Sequence, residues 1–168
     1  MNSRAARKVI EGLNVLWLRK VIFRKQVEIA TMKPCVLYFS LTGNTKRFAE
    51  AISELLGAPA LDVSSCDPST VTDYDLLIIG TPVMGMQSAP PVSAFLKRLP
   101  QGNGKKAIVF CTYAIAKGGV LKRLERELAA KGYVTILSIG KKGVKPNKAD
   151  FKDALAEVSR VMEELTRS

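Results

Sequence analysis

Histidine is absent from this chain of 168 residues. That excludes the Ser-His-Asp triad, the Cys-His dyad and every histidine-based metal site. Cysteine is scarce. Cys35, Cys66 and Cys111 are odd in number and contain no CxxC pair, so they form neither a disulfide framework nor a zinc site, and a reducing, cytoplasmic setting is expected. Neither GxxxxGK[ST] nor GxGxxG occurs, which argues against a magnesium-bound nucleoside triphosphate and against a dinucleotide fingerprint. The remaining composition is ordinary for a folded chain: 47% apolar and 24% charged residues exclude a disordered or collagen-like polymer, and the length suits one domain.

Carboxylates are outnumbered, with 15 Asp and Glu against 26 Lys and Arg, for a net charge of +11. Residues 1–32 carry seven of the basic side chains and two acids, hence +5, and the remainder carries +6. Such a balance favours an anionic partner only in a nonspecific way. No aromatic-interleaved basic platform or DNA-binding motif accompanies it, so no nucleic-acid partner is expected.

The N-terminal extension, residues 1–31, differs in pattern from the rest of the chain. Its longest uncharged run, Gly12 to Leu18, falls far short of the roughly 20 residues of a membrane span. It also lacks the cleavage pattern of a signal peptide. Ile10, Leu13, Trp17 and Val21 recur at helical spacing among basic residues, as in a helix lying on a membrane surface. The competing readings are a poorly ordered leader and sequence upstream of a start at Met32.

From Lys33 the chain alternates strand and helix patterns. Apolar runs at Cys35–Phe39, Ala60–Val63, Asp75–Gly80, Lys106–Cys111 and Val134–Ile139 predict five strands. Helices are predicted at Lys46–Leu56 (inward Phe48, Ile52, Leu55), from Pro90, over Gly119–Lys131, and from about Asp150. The last has its stripe at Phe151, Leu155, Val158, Met162 and Leu165. Parallel strands need helical crossovers, so residues 32–168 are expected to form one α/β domain with helices on both faces of the sheet.

Ligands of such sheets sit outside the strand C-termini. The first loop there, Ser40-Leu41-Thr42-Gly43-Asn44-Thr45, offers three hydroxyls, an amide and a glycine, and opens onto a helix N-terminus suited to a phosphate. The segment Val36–Thr45, VLYFSLTGNT, resembles the first strand and [ST]-x-T-G-x-T loop of the flavodoxin family, and Gly80-Thr81-Pro82-Val83 stands in register after the third strand. The resemblance covers 133 residues, 33 to 165, and is to the short-chain type.

That resemblance implies a three-layer sandwich with strand order 2-1-3-4-5 and FMN as cofactor. It implies that Ser40, Leu41, Thr42, Gly43, Asn44 and Thr45 wrap the phosphate. Thr81, Pro82, Val83, Met84 and Gly85 would line one side of the ring, and Thr112, Tyr113, Gly118 and Gly119 the other. Tyr113 is the implied stacking partner. Gly85 would let a peptide turn toward the flavin. Met84 and Met86 stand where the family often has an aromatic, and the basic charge contrasts with the acidic best-known flavodoxins. Cys35 and Cys111 read as buried small residues, and Cys66 as the accessible thiol.

The implied function is FMN-dependent electron transfer between redox partners, with no catalytic acid, base or nucleophile. A flavin-dependent reductase acting on quinones with NAD(P)H, and a flavin-free interaction module, are the alternatives. Lys141, Lys142, Lys145 and Lys148 follow the fifth strand on the flavin edge, where they would attract an acidic redox protein.

Overall fold

A computed structural model describes residues 32–143 and 151–167. Strand β1 (Pro34–Tyr38) leads into α1 (Asn44–Leu56) and β2 (Ala60–Asp62). A 3-10 turn (Pro68–Asp73) precedes β3 (Leu76–Met84), the short β4 (Gln87–Ser88) and α2 (Pro90–Arg98). Then come β5 (Lys106–Tyr113), α3 (Val120–Ala130), β6 (Val134–Lys142) and α4 (Lys152–Arg167). Five strands form a parallel sheet in the order β2-β1-β3-β5-β6, and β4 adds to β3 antiparallel.

The strands read as unbroken apolar runs because both faces of the sheet are covered. Alternate residues go to opposite sides. Leu37, Ile79 and Val109 pack with α2 and α3, through Phe95, Leu96, Leu124 and Leu128. Val36, Ile78 and Phe110 pack with α1 and α4, through Phe48, Ile52 and Val158. On that second face three rings stack in sequence. Phe48 meets Phe110 edge-on at 4.8 Å between centroids and lies parallel to Phe151 at 4.5 Å, tying both helices to the sheet. Phe110 also explains Gly80. The two are paired in register, and the ring lies where a β-carbon on residue 80 would stand, 2.0 Å from it.

The structure corrects several boundaries. α1 begins at Asn44, inside the phosphate-type loop, and its buried stripe is Phe48, Ala49 and Ile52, while Leu55 is exposed. In α4 the buried line runs Phe151, Ala154, Val158, Val161, with Leu155 and Met162 on its flank. β3, β5 and β6 all run past their expected ends, because ladder pairing continues through Thr81–Cys111 and Pro82–Thr112 and out to Tyr113–Lys142. Lys141 and Lys142 therefore belong to the edge strand itself. Lys145, Lys148 and the whole extension 1–31 lie outside the described residues. Among the described residues no helix is long and apolar enough to cross a membrane.

Candidate functional site at the C-terminal edge of the sheet

Strands β1, β3 and β5 end side by side, and their loops enclose a cavity of about 390 Å³. That lies within the ~300–1,000 Å³ usual for small-molecule sites. Its walls are Leu41, Thr42 and Asn44 from the first loop, Pro82, Val83 and Met84 from β3, and Thr112, Tyr113, Ala114 and Gly143 from the ends of β5 and β6. Eight of these ten are residues that the sequence points to. Ala114 and Gly143 are additions from the structure.

The first loop is shaped by its own polar groups. The Gly43 amide donates to Ser40 Oγ at 3.1 Å, and Gly43 takes φ 89°, a left-handed conformation that glycine reaches without steric cost. No side chain caps α1, so the first-turn N–H groups face the loop. Asn44 is buried. Its Nδ2 reaches the Gly143 carbonyl at 3.4 Å, while its Oδ1 is enclosed with no donor. Glycine at 143 leaves room for that amide: a β-carbon there would stand 2.9 Å from Asn44 Nδ2, and one of the two would have to shift. The Gly143 amide in turn donates to the Tyr113 carbonyl at 2.9 Å, which extends the β5–β6 edge up to the cavity.

Several expected ligands have internal partners. The Thr45 and Thr112 hydroxyls bond each other at 2.6 Å. Thr81 is fully buried, accepts from the Ala89 amide at 2.9 Å and donates to the Pro82 carbonyl at 3.0 Å, so it ties the hairpin to the start of α2. Ser40, Gly43, Thr45, Thr81, Gly85, Gly118 and Gly119 lie around the cavity without lining it.

Gly85 and Met86 form the two-residue turn between β3 and β4. Both have positive φ, 55° and 66°, the signature of a type I′ hairpin. The Met86 methyl rests on Gly118, where a β-carbon would come within 2.8 Å of it. Tyr113 lines the cavity with its ring leaning toward Gly140, beside the stem of Lys117.

Two fully buried thiols have shifted titrations, Cys111 near the C-terminal end of β5 beside the cavity and Cys35 at the opposite end of the sheet, near the start of β1. Burial pushes the Cys111 thiol up to about 11, against the opposing pull of Lys117. Burial, with a smaller contribution from Cys66, pushes the Cys35 thiol up to about 12. Neither thiol is a nucleophile at neutral pH. Among the described residues no cluster of three or more Cys, Asp or Glu could hold a metal.

Residues 35–149 match the family model described as a flavodoxin domain, and the chain belongs to that family of flavin-binding redox proteins. It is 29% identical over 105 residues to an uncharacterized protein of Methanocaldococcus jannaschii, a match covering 61% of this chain and 69% of that one. The fold is similar to that of a flavodoxin from the domain Archaea, with a TM-score of 0.62 and 21% identity over 81% of this chain and 97% of that one. It is equally similar to part of the rubredoxin oxygen:oxidoreductase of Desulfovibrio gigas. There the TM-score is 0.64 at 18% identity, covering 84% of this chain and 38% of that longer one.

Proposed function

We propose that the chain binds FMN and carries electrons between redox partners in the cytoplasm. The observation that carries this reading is the cavity itself, which joins an uncapped helix N-terminus to walls supplied by the ends of β3 and β5. FMN, when bound, supplies the redox chemistry. The residues supply position. Amides of the first α1 turn and the Thr42 hydroxyl would hold the phosphate, with Ser40 and Gly43 shaping the loop. Asn44 Oδ1, a buried acceptor with no donor, suits a hydroxyl of the ribityl chain. Pro82, Val83 and Met84 would lie along one side of the ring, and Thr112 and Tyr113 along the other. Thr45 and Thr81 act through the backbone they fix. The three free cysteines fit a reducing compartment.

The test is an absorbance spectrum of protein purified with FMN and then desalted. Retained flavin bands are expected, together with negligible NAD(P)H oxidation when a quinone is added. Loss of the flavin on desalting would refute the cofactor. Rapid NAD(P)H-quinone turnover would replace the carrier with the reductase.

A further inference from the structure

The rim of the cavity is apolar where folding gives it no reason to be. Among the described residues six large apolar side chains are exposed, and four of them stand on this one edge: Leu41 at 62%, Met84 at 39%, Met86 at 57% and Ile115 at 91%. They come from three separate loops, at the ends of β1, β3 and β5. Scattered exposed apolar residues need no explanation, but a cluster at one edge marks a contact surface. Leu41 and Met84 line the mouth of the cavity, whereas Met86 and Ile115 stand outside its lining.

The charge around this collar has one sign on one side. Between Asp75 and Glu125 the sequence holds no Asp or Glu, and this stretch supplies β3, the hairpin, α2, β5 and the loop bearing Ile115. Beside the collar stand Lys117, exposed after β5, and Lys141 and Lys142 at the end of β6. On the far side of β1, Asp62 ends β2 and Asp67 follows it. An apolar centre with a polar, charged margin is the ordinary anatomy of a protein interface. Its sign selects the partner. A second copy of this chain would bring lysine against lysine, whereas an acidic surface gains both steering and register.

We infer that the collar of Leu41, Met84, Met86 and Ile115, with Lys117, Lys141 and Lys142 beside it, is a docking surface for an acidic protein. This rests on the flavin reading only insofar as that protein is a redox partner. Docking places the partner over the mouth of the cavity, and the lysines act mainly on the association rate.

The test is a methyl NMR titration of the FMN-loaded protein, and separately of the protein without added FMN, using an acidic two-iron ferredoxin as probe. Basic cytochrome c is the control. Saturable shifts confined to Leu41, Met84, Met86 and Ile115 are expected. Affinity should drop about tenfold between about 0.01 and 0.1 M salt, over which the screening length falls from about 30 to about 10 Å. Ile115→Asp, at an exposed loop position, and Lys142→Glu, on the edge strand, should each weaken binding severalfold with unchanged thermal unfolding. Shifts elsewhere, tighter binding of cytochrome c, indifference to both variants, or collar shifts produced by the protein's own concentration would each overturn the inference. Ferredoxin docking at the collar in a protein that fails to retain FMN would uphold the surface and refute the flavin reading.

Discussion

Thr45, in the first turn of α1, and Thr112, near the end of β5, share a buried hydroxyl–hydroxyl hydrogen bond of 2.6 Å across 67 residues of sequence. It clamps the phosphate-type loop to the strand that forms the opposite wall of the cavity. Removing one hydroxyl leaves the other enclosed and unpaired, which costs about 1–3 kcal/mol, while removing both is nearly neutral. Thr45→Val and Thr112→Val should therefore each destabilise the protein to urea by that amount. The double variant should recover most of the loss, a positive coupling in a double-mutant cycle. Additive losses would mean that the hydroxyls act separately.

A second link across the same cavity runs from Asn44 to Gly143. A β-carbon at residue 143 would stand 2.9 Å from Asn44 Nδ2, so Gly143→Ala must push the amide out of place or shift the strand end. Asn44→Ala removes the 3.4 Å bond and the enclosed acceptor together. Fluorescence titration should show FMN affinity falling at least about tenfold in both variants, equivalent to about 1.4 kcal/mol. Unchanged affinity in Asn44→Ala would remove that residue from the binding site.

Much of this architecture is legible in the chain because the physics is local. The run Cys35–Phe39 must be a strand covered on both faces, and Gly57 ends α1 with φ 61°, as its place after Leu56 predicts. Partnerships over long separations are not legible. Nothing near Thr81 says that its hydroxyl will hold the Ala89 amide, nor near Thr45 that it will meet Thr112. Gly143 is inconspicuous in the sequence because its importance is created by Asn44, 99 positions away. In α4 the largest apolar residues are a poor guide to the buried stripe. The core on that face of the sheet instead takes Ala154 and Val158, both smaller, and leaves Leu155 and Met162 at its margin.

The hairpin turn carries strain at Met86. A left-handed φ of 66° costs a residue with a β-carbon about 1 kcal/mol or more, and glycine and asparagine bear it better. Rotating the Gly85–Met86 peptide toward a type II′ turn would return Met86 to negative φ while Gly85 keeps its positive value. Met86→Asn should raise stability by about 0.5–1 kcal/mol in chemical denaturation, the gain being reduced by the lost contact with Gly118. A clear loss of stability would show that the methyl contact outweighs the strain.

The two buried thiols make the fold sensitive to alkali. Cys35 and Cys111 retain their protons in the folded state up to about 12 and about 11, against an ordinary 9.0, because burial disfavours the thiolate. Above pH 9 the unfolded chain therefore releases protons that the folded chain keeps. Their contribution to stability is complete below about pH 9 and is lost as pH rises toward those values. Each thiol adds a decline of about 1.4 kcal/mol per pH unit in that window. Cys35→Ala lowers stability at pH 7 by leaving a small cavity, yet its decline from pH 9 to 11 should be shallower than that of the parent by about that slope. In the native protein at pH 8 a disulfide reagent should label Cys66 rapidly, while Cys35 and Cys111 react only after unfolding. Rapid labelling of all three, or parallel pH profiles for the parent and Cys35→Ala, would contradict the burial from which the prediction is drawn.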